Sequence, residues 1–365
     1  MLPGCGELWA HFEDTARRLP DHPALCLENG SLSYGELLLR AAETADRLER
    51  FLADRRVIAV YADLAPATVI SLLAASRAKT VAILLDRFHP SDFTASVLKE
   101  TEPAVVLDSS GSVPVIAKSG FDNAPSRGRE GVGDLDKVAV VVWTSGSTGR
   151  PKGVALLGEG LVRDARTRIR DYRLSPEDRI AWTASPSVAG AVQDVCFTLL
   201  SGGALLPWTL NGKSAHDVNQ WLAREGASFF RPPVSYYRHW IRSLPASGKL
   251  PALRTVSLGG QAVSWDDLLA FRERFPEGRR IVHRYAVTEC NLVAQAVLDS
   301  GSIEGEKGSV PLGFPAAGKR VLVVGEDGEE LKPGEAGQVA VIGDCLSPGY
   351  WGRPDLTAER FVELP

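Results

Sequence analysis

The sequence has little that would point to a membrane, to secretion or to nucleic acid. In 365 residues no apolar run approaches the roughly 20 residues of a spanning helix. The N-terminus, MLPGCGELWAHFED, is acidic early and shows no basic-then-apolar leader, so a cytoplasmic location is expected. A net charge of −4 supplies no basic footprint for nucleic acid. The five cysteines (Cys5, Cys26, Cys196, Cys290, Cys345) are odd in number and scattered, with no CxxC or Cys/His spacing. Reduced, packed thiols are expected, and the six dispersed histidines argue against a metal cluster. There is no internal repeat and no low-complexity tract. What is present is ordinary for a globular chain: 44% apolar and 24% charged residues, over a length sufficient for two or three packed lobes.

Patterning predicts an alternation of helices and strands. Residues 7–19 read as an amphipathic helix, and a second helix opens at Ser33 and runs to about Phe51. Ser33 as N-cap with Glu36 three residues on forms a capping-box signature. Strands at 57–61, 81–86 and 104–108 alternate with helices at 65–78 and 91–100, which implies α/β architecture with parallel strands. Residues 109–134, rich in Gly, Ser and Pro, read as a surface loop. Further helices are expected near 155–172, 189–200, 214–225 and 233–243, with strands at 180–184 and 255–258. From 310 onward, short β runs at 320–324 and 338–342 with Gly-rich turns suggest a small barrel.

The chain is organised around residues 138–154, VAVVVWTSGSTGRPKGV. An apolar, β-branched run of strand length stops at Thr144, Ser145, Gly146, Ser147, Thr148 and Gly149, six hydroxylic or glycine residues in succession. Glycines let backbone approach phosphate oxygens, hydroxyls and N–H groups donate to them, and Lys152 adds a point charge. No GxxxxGK[ST] spacing fits, so this is not a Walker loop. A flexible Gly/Ser linker is the competing reading, but linkers seldom run from an apolar strand into PKG.

This stretch closely resembles the phosphate loop of adenylate-forming enzymes, written [YW]TSG[ST]TGxPKGV: the acyl-CoA synthetases, luciferases and adenylation domains of nonribosomal peptide synthetases. Other segments resemble the same family in the same order. LSYGEL near residue 32 resembles LTYxEL, and AASRAKTVAILLDRFHP resembles LKAGAAYVPLDPxxP. IVHRYAVTE at 281–289 resembles NxYGxTE, with His283, Ala286 and Val287 as departures. Leu258–Ala262, LGGQA, resembles a GGEA turn, with Gln261 in place of Glu. Residues 334–361 resemble GExGEhxhxGxxhxxGYWxRPxLTxERF, a form most typical of peptide-synthetase adenylation domains.

The resemblance implies an α/β fold: the large N-terminal core of an adenylate-forming enzyme, two helix-flanked β-sheets plus a small distorted β-barrel. The C-terminal lobe, with its hinge, ribose-binding Asp and catalytic Lys, is absent from these 365 residues, so the chain alone is expected to be incomplete for turnover. Approximate lobes are 1–185 with the phosphate loop, 186–300 with the acyl pocket, and 301–365, mainly β. ATP and Mg²⁺ are implied as cofactors. The phosphate-loop residues, Gly259, Gly260, Gln261, Tyr285 and Thr288 would hold ATP, and Glu289 the metal. Lys152, Thr288 and Glu289 are the implied catalytic residues. Mg²⁺ takes few carboxylates and completes its shell with water and phosphate oxygens.

By the same resemblance, the acyl pocket is lined from one helix by Ala189, Gly190 and Gln193. Phe230, Ser257, Gly259, Arg284, Leu292 and Val293 are implied to line it as well. Amino-acid-activating relatives place an ammonium-binding Asp where Ala189 stands; a buried ammonium without a carboxylate costs several kcal/mol or sheds its proton. The expected substrate is therefore an acid other than an ordinary α-amino acid: aryl, 2-oxo, hydroxy, dicarboxylic or β-amino, with Asp194 the alternative ammonium partner. The acyl acceptor would be a carrier-protein pantetheine thiol or CoA. A catalytically degenerate nucleotide- or partner-binding core is the alternative of a different class.

Overall fold

Strand and helix alternate from the first turn, and the amphipathic patterns decide which face each element turns inward. The structure, a computed structural model, describes residues 6–52, 56–120, 132–144, 151–245, 250–275, 278–304 and 310–363. Helix α1 (Glu7–Arg18) buries Leu8, Phe12 and Ala16. A hairpin of β1 (Pro23–Leu27) and β2 (Gly30–Ser33) leads into α2 (Tyr34–Leu52). The expected capping box forms: Glu36 N–H donates to Ser33 Oγ at 3.2 Å, and Ser33 N–H donates to Glu36 Oε2 at 2.9 Å.

Next come β3 (Val57–Ala62), α3 (Pro66–Arg77), β4 (Val81–Asp86), α4 (Ser91–Thr101), β5 (Val105–Ser109) and β6 (Val115–Lys118). The strand β6 lies within the stretch expected to be loop; it pairs antiparallel with β5 as an edge. Residues 66–76 of α3 are buried all round, because this helix lies within the core rather than on it. Strands β7 (Val138–Thr144) and β8 (Lys152–Leu157) pair antiparallel from Val138↔Leu157 to Thr144↔Lys152.

That pairing corrects the expected helix start at 155. The helix α5 runs Gly158–Tyr172, and PKGVALL before it is a strand. The apolar run Gly153–Leu156 is buried on both faces, as suits a strand rather than an amphipathic helix. Gly153 fits tightly there, since a Cβ would fall 3.0 Å from Val141 Cγ1 and 3.1 Å from the Trp143 ring.

The chain continues through β9 (Arg179–Trp182), α6 (Ala189–Ser201), β10 (Ala204–Pro207), α7 (Ala215–Arg224), β11 (Phe229–Phe230), α8 (Val234–Ser243), β12 (Thr255–Gly259) and α9 (Trp265–Arg274). It ends with β13 (Arg280–Val287), β14 (Asn291–Asp299), β15 (Phe314–Pro315), β16 (Lys319–Val324), β17 (Gln338–Gly343) and α10 (Pro354–Arg360).

Among the described residues the strands form two large sheets and a ribbon. One has six strands in the order β6-β5-β3-β4-β7-β8, the other nine in the order β15-β14-β13-β12-β11-β9-β10-β1-β2, and β16-β17 form an antiparallel pair. Strands β1, β2 and β9, all before residue 186, belong to the nine-stranded sheet. The strand period of two divides the side chains between layers. Ile58, Val60 and Leu84 face a large core shared with α2, α3, α5 and α6, while Val57, Ala59 and Ile83 face a smaller cluster around Val97 and Trp351. A third cluster packs α7, α8 and α9 on the outer face of the nine-stranded sheet.

Candidate active site

Parallel strands of both sheets end at one cleft, the place where open α/β sheets present ligand sites. Its volume is about 620 Å³. The six-stranded sheet contributes Ala62, Asp63, Asp86 and Arg87. The nine-stranded sheet contributes Thr183, Arg231, Gly259, Gly260, Gln261 and Arg284.

The phosphate-loop residues Ser145, Gly146, Ser147, Thr148 and Gly149 lie outside the described residues. The flanking strands are described: Thr144, the last residue of β7, pairs with Lys152, the first of β8. Lys152 meets Glu289 there. The Lys152 Nζ lies 3.8 Å from Glu289 Oε1, and both side chains keep partial exposure, 20% and 25%. Thr288 and Glu289 sit in the turn between the antiparallel strands β13 and β14. Tyr285 lies just before it, where the β13–β14 register shifts.

One member of this group was not recognised as such in the sequence. Tyr350, in the GYW motif, donates its hydroxyl to Glu289 Oε1 at 2.7 Å and accepts from Lys152 Nζ at 3.3 Å. The Lys152 ammonium also stands 4.6 Å from the Tyr350 ring centre. Burial, then the Glu289 hydrogen bond and charge, push the Tyr350 phenol far above its ordinary range, so it is a donor at neutral pH. Nothing local in GYW signals this; the contact spans 61 residues.

The turn after β12 is built as expected. Gly260 has φ +80°, and Gly259 has no room for a Cβ, which would fall 2.5 Å from the Arg284 carbonyl oxygen. The Gln261 side chain accepts from Ser235 N–H at 3.2 Å.

The expected acyl-pocket residues divide. Gly190, Ser257, Gly259 and Arg284 lie around the cleft and the recess behind it. Ala189 is the first residue of α6, partly exposed and packed on the main core. Gln193 is 3% exposed; its carbonyl accepts from Arg168 Nη1 at 3.0 Å, and its amide donates to Asn291 Oδ1 at 3.1 Å. Leu292 and Val293 are fully buried in β14 and are not among the residues lining the cleft.

Phe230 faces away. Its ring packs on Trp240, 5.1 Å between centroids, in the cluster on the outer sheet face. Alternation along the strand turns its neighbours Phe229 and Arg231 toward the recess instead. Arg231, missed in the sequence, donates from Nε and Nη2 to Asp194 Oδ2, at 3.1 Å for Nε. The one available signal was strand parity, which puts 229 and 231 on one side and 230 on the other.

Arg284 completes the wall. Its Nε donates to Ser257 Oγ at 3.2 Å. Burial first, and the neighbouring Arg231 next, push its pKa down to about 9.

Among the described residues there is no group of three or more His, Cys, Asp or Glu able to hold a metal. A lone, partly exposed carboxylate suits Mg²⁺, which is held mostly by phosphate and water oxygens. Glu289 is the residue here that would hold it. No helix of the described residues is long and apolar enough to cross a membrane.

The model of the family described as AMP-binding enzyme matches residues 12–351. Tyrocidine synthase 1 of Brevibacillus parabrevis is 28% identical over 97% of this chain, which spans 33% of that protein. Novobiocin biosynthesis protein H of Streptomyces niveus is 29% identical over 98% of this chain and 61% of its own length. Among solved structures, the Klebsiella oxytoca NpsA N-terminal subdomain in complex with 3-hydroxybenzoyl-AMSN shares the fold. Its TM-score is 0.80 at 20% identity, covering 98% of this chain and 92% of that one. With 340 of 365 residues inside the family match, this chain belongs to the AMP-binding enzyme family, and its two helix-flanked sheets have the fold of such an N-terminal core.

Proposed function

We propose that this core activates a carboxylic acid with ATP. A carboxylate oxygen attacks the α-phosphorus, the bond to the pyrophosphate oxygen breaks, and acyl-AMP and pyrophosphate result. The observation that carries the reading is the Lys152–Tyr350–Glu289 group, which joins the start of β8 to the β13–β14 turn. Such chemistry is mostly positioning and charge stabilisation. Lys152 supplies a positive charge beside the phosphate loop, and Thr288 a hydroxyl next to it. Tyr285 offers an aromatic face for the base. Gly259 and Gly260 leave the backbone open along the same wall. When bound at Glu289, Mg²⁺ would supply charge neutralisation for the leaving pyrophosphate.

The acid is of a kind other than an ordinary α-amino acid. No carboxylate stands at Ala189, and Asp194 is held by Arg231. A sequence relative described as a probable non-canonical nonribosomal peptide synthetase, CymA of Salinispora arenicola, supports a carrier-protein thiol as the acceptor; CoA is the alternative. The test is calorimetric titration with ATP, with and without Mg²⁺, followed by pyrophosphate exchange across acid classes using the chain joined to a C-terminal lobe. Absence of nucleotide binding under both conditions overturns the reading.

A further inference from the structure

Behind the cleft, between α6 and strands β11 to β13, lies a recess with only about 10 Å³ of free space, room for at most one water. Arg231 and Arg284 line both the recess and the cleft, so they form the floor on which an acid in the cleft would rest. Each is seated against a glycine. A Cβ on Gly190 would fall 2.6 Å from Arg231 Nη1, and one on Gly259 would fall 2.7 Å from Arg284 Cγ.

The charges there do not balance. Arg168 pairs with Asp164 at 2.5 Å, and Arg231 pairs with Asp194, whose side chain is 3% exposed. Arg284 has only the Ser257 hydroxyl as a side-chain partner and no carboxylate within 4 Å among the described residues. Arg231 Nη1 likewise has no protein acceptor among them. Two guanidinium groups thus share one carboxylate, and a buried cation without a counter-ion is costly. Across the cleft, Asp63 accepts from Leu64 N–H at 2.7 Å, and Asp86 accepts from Phe88 N–H and Ser185.

We infer that Arg231 and Arg284 grip a second carboxylate on the acid, so that the substrate is a short dicarboxylic acid, one carboxylate being activated and the other held on the floor. The inference rests on the acid-activating reading above. One negative charge balances the pair, and guanidinium forks suit a carboxylate better than a lone keto or hydroxyl oxygen. The filled recess limits chain length. An ammonium, as in a β-amino acid, would meet two cations, because Asp194 is already taken.

The test uses the 365-residue chain and stable acyl-sulfamoyl-adenosine analogues in calorimetry. Malonyl and succinyl analogues, each ending in a carboxylate, are compared with amide-ended isosteres and with the β-alanyl analogue. The carboxylate-ended form of at least one length is expected to bind tenfold or more tighter than its isostere. Arg284→Leu, and the paired Arg231→Leu/Asp194→Leu change that removes both members of that ion pair, should each cut that preference below threefold. If either variant fails to fold in a thermal melt, Gly190→Ala serves instead, since its methyl displaces Arg231. Equal binding of carboxylate and amide forms, or a preference for the β-alanyl form, in a chain that binds ATP overturns this inference and leaves acid activation standing. Failure of ATP and all analogues to bind overturns both.

Discussion

Tyr350→Phe isolates the hydroxyl that stands between Lys152 and Glu289. The ring stays: it is 2% exposed, packs on Phe361 at 5.7 Å, and keeps the Lys152 ammonium over its face. Lost are a 2.7 Å donation to a carboxylate and a 3.3 Å acceptance from an ammonium. Hydrogen bonds to charged groups contribute about 1.5–3 kcal/mol. Glu289 and Lys152 are a quarter and a fifth exposed, so water screens part of this, leaving about 1–2 kcal/mol. Without the hydroxyl, the 3.8 Å Lys152–Glu289 pair closes, and each group is diverted from phosphate or metal. MgATP affinity should fall about 5- to 30-fold by calorimetry. The loss should be smaller in excess chelator, because part of it acts through Glu289. MgATP affinity within twofold of the unaltered chain would refute the reasoning.

Lys152→Ala should weaken ATP binding with or without Mg²⁺, whereas Glu289→Ala should remove the Mg²⁺ dependence; an unchanged Mg²⁺ dependence in Glu289→Ala counts against that residue as the metal ligand. Phe230→Leu should cost about 1–3 kcal/mol in urea unfolding and leave the preference among acyl-sulfamoyl analogues as it was, since its ring lies on the outer sheet face. The His283 pKa is lowered from its ordinary 6.5 by burial, against a 3.1 Å contact of Nδ1 with the Pro311 carbonyl and with Arg284 adding repulsion. The unfolded chain then binds the proton more readily, so stability should be flat above about pH 6.5 and fall as pH drops through that value. His11, lowered by burial and Arg166, adds to the same slope. In unfolding curves between pH 5 and 7.5, His283→Asn should reduce the slope, and an unaltered slope would be the contrary result.

The fold was legible because its determinants are local. Capping at Ser33, strand-length β-branched runs and the Gly-Gly turn all read directly from short windows. What escaped depends on partners far away. Ala155 and Leu156 look helical beside α5, yet their pairing with Val141 and Val140 makes them strand. Phe230 was assigned to the pocket by motif position, but the two-residue strand β11 is too short to show its alternation in sequence. Gln193 sits one helical turn from Ala189 as expected, and is then absorbed by Arg168 and Asn291 from two other elements. Arg231 and Tyr350 carry no motif for their roles. Each acquires its role from a carboxylate 37 or 61 residues away.

The charge arrangement around the recess joins stability to recognition. Arg168, Arg231, Arg284 and Lys319 converge with Asp164 and Asp194, four cations against two carboxylates. Lys319 is answered by Asp164 at 3.9 Å and by the carbonyls of Cys290 and Leu292, which among the described residues leaves Arg284 as the cation without a carboxylate. A group in that position lowers the stability of the unliganded fold, and its depressed pKa, about 9, expresses the same strain. Replacing it with an apolar residue of similar volume should therefore stabilise the unliganded chain, by about 1–4 kcal/mol if it follows buried ionic groups elsewhere. The same change removes half of the floor. Arg284→Leu should accordingly raise the thermal midpoint without ligand while losing the extra stabilisation that a carboxylate-ended analogue confers on the unaltered chain. A guanidinium kept only for packing predicts the opposite, a lower midpoint and an unchanged ligand effect, and a pair of melting curves separates the two.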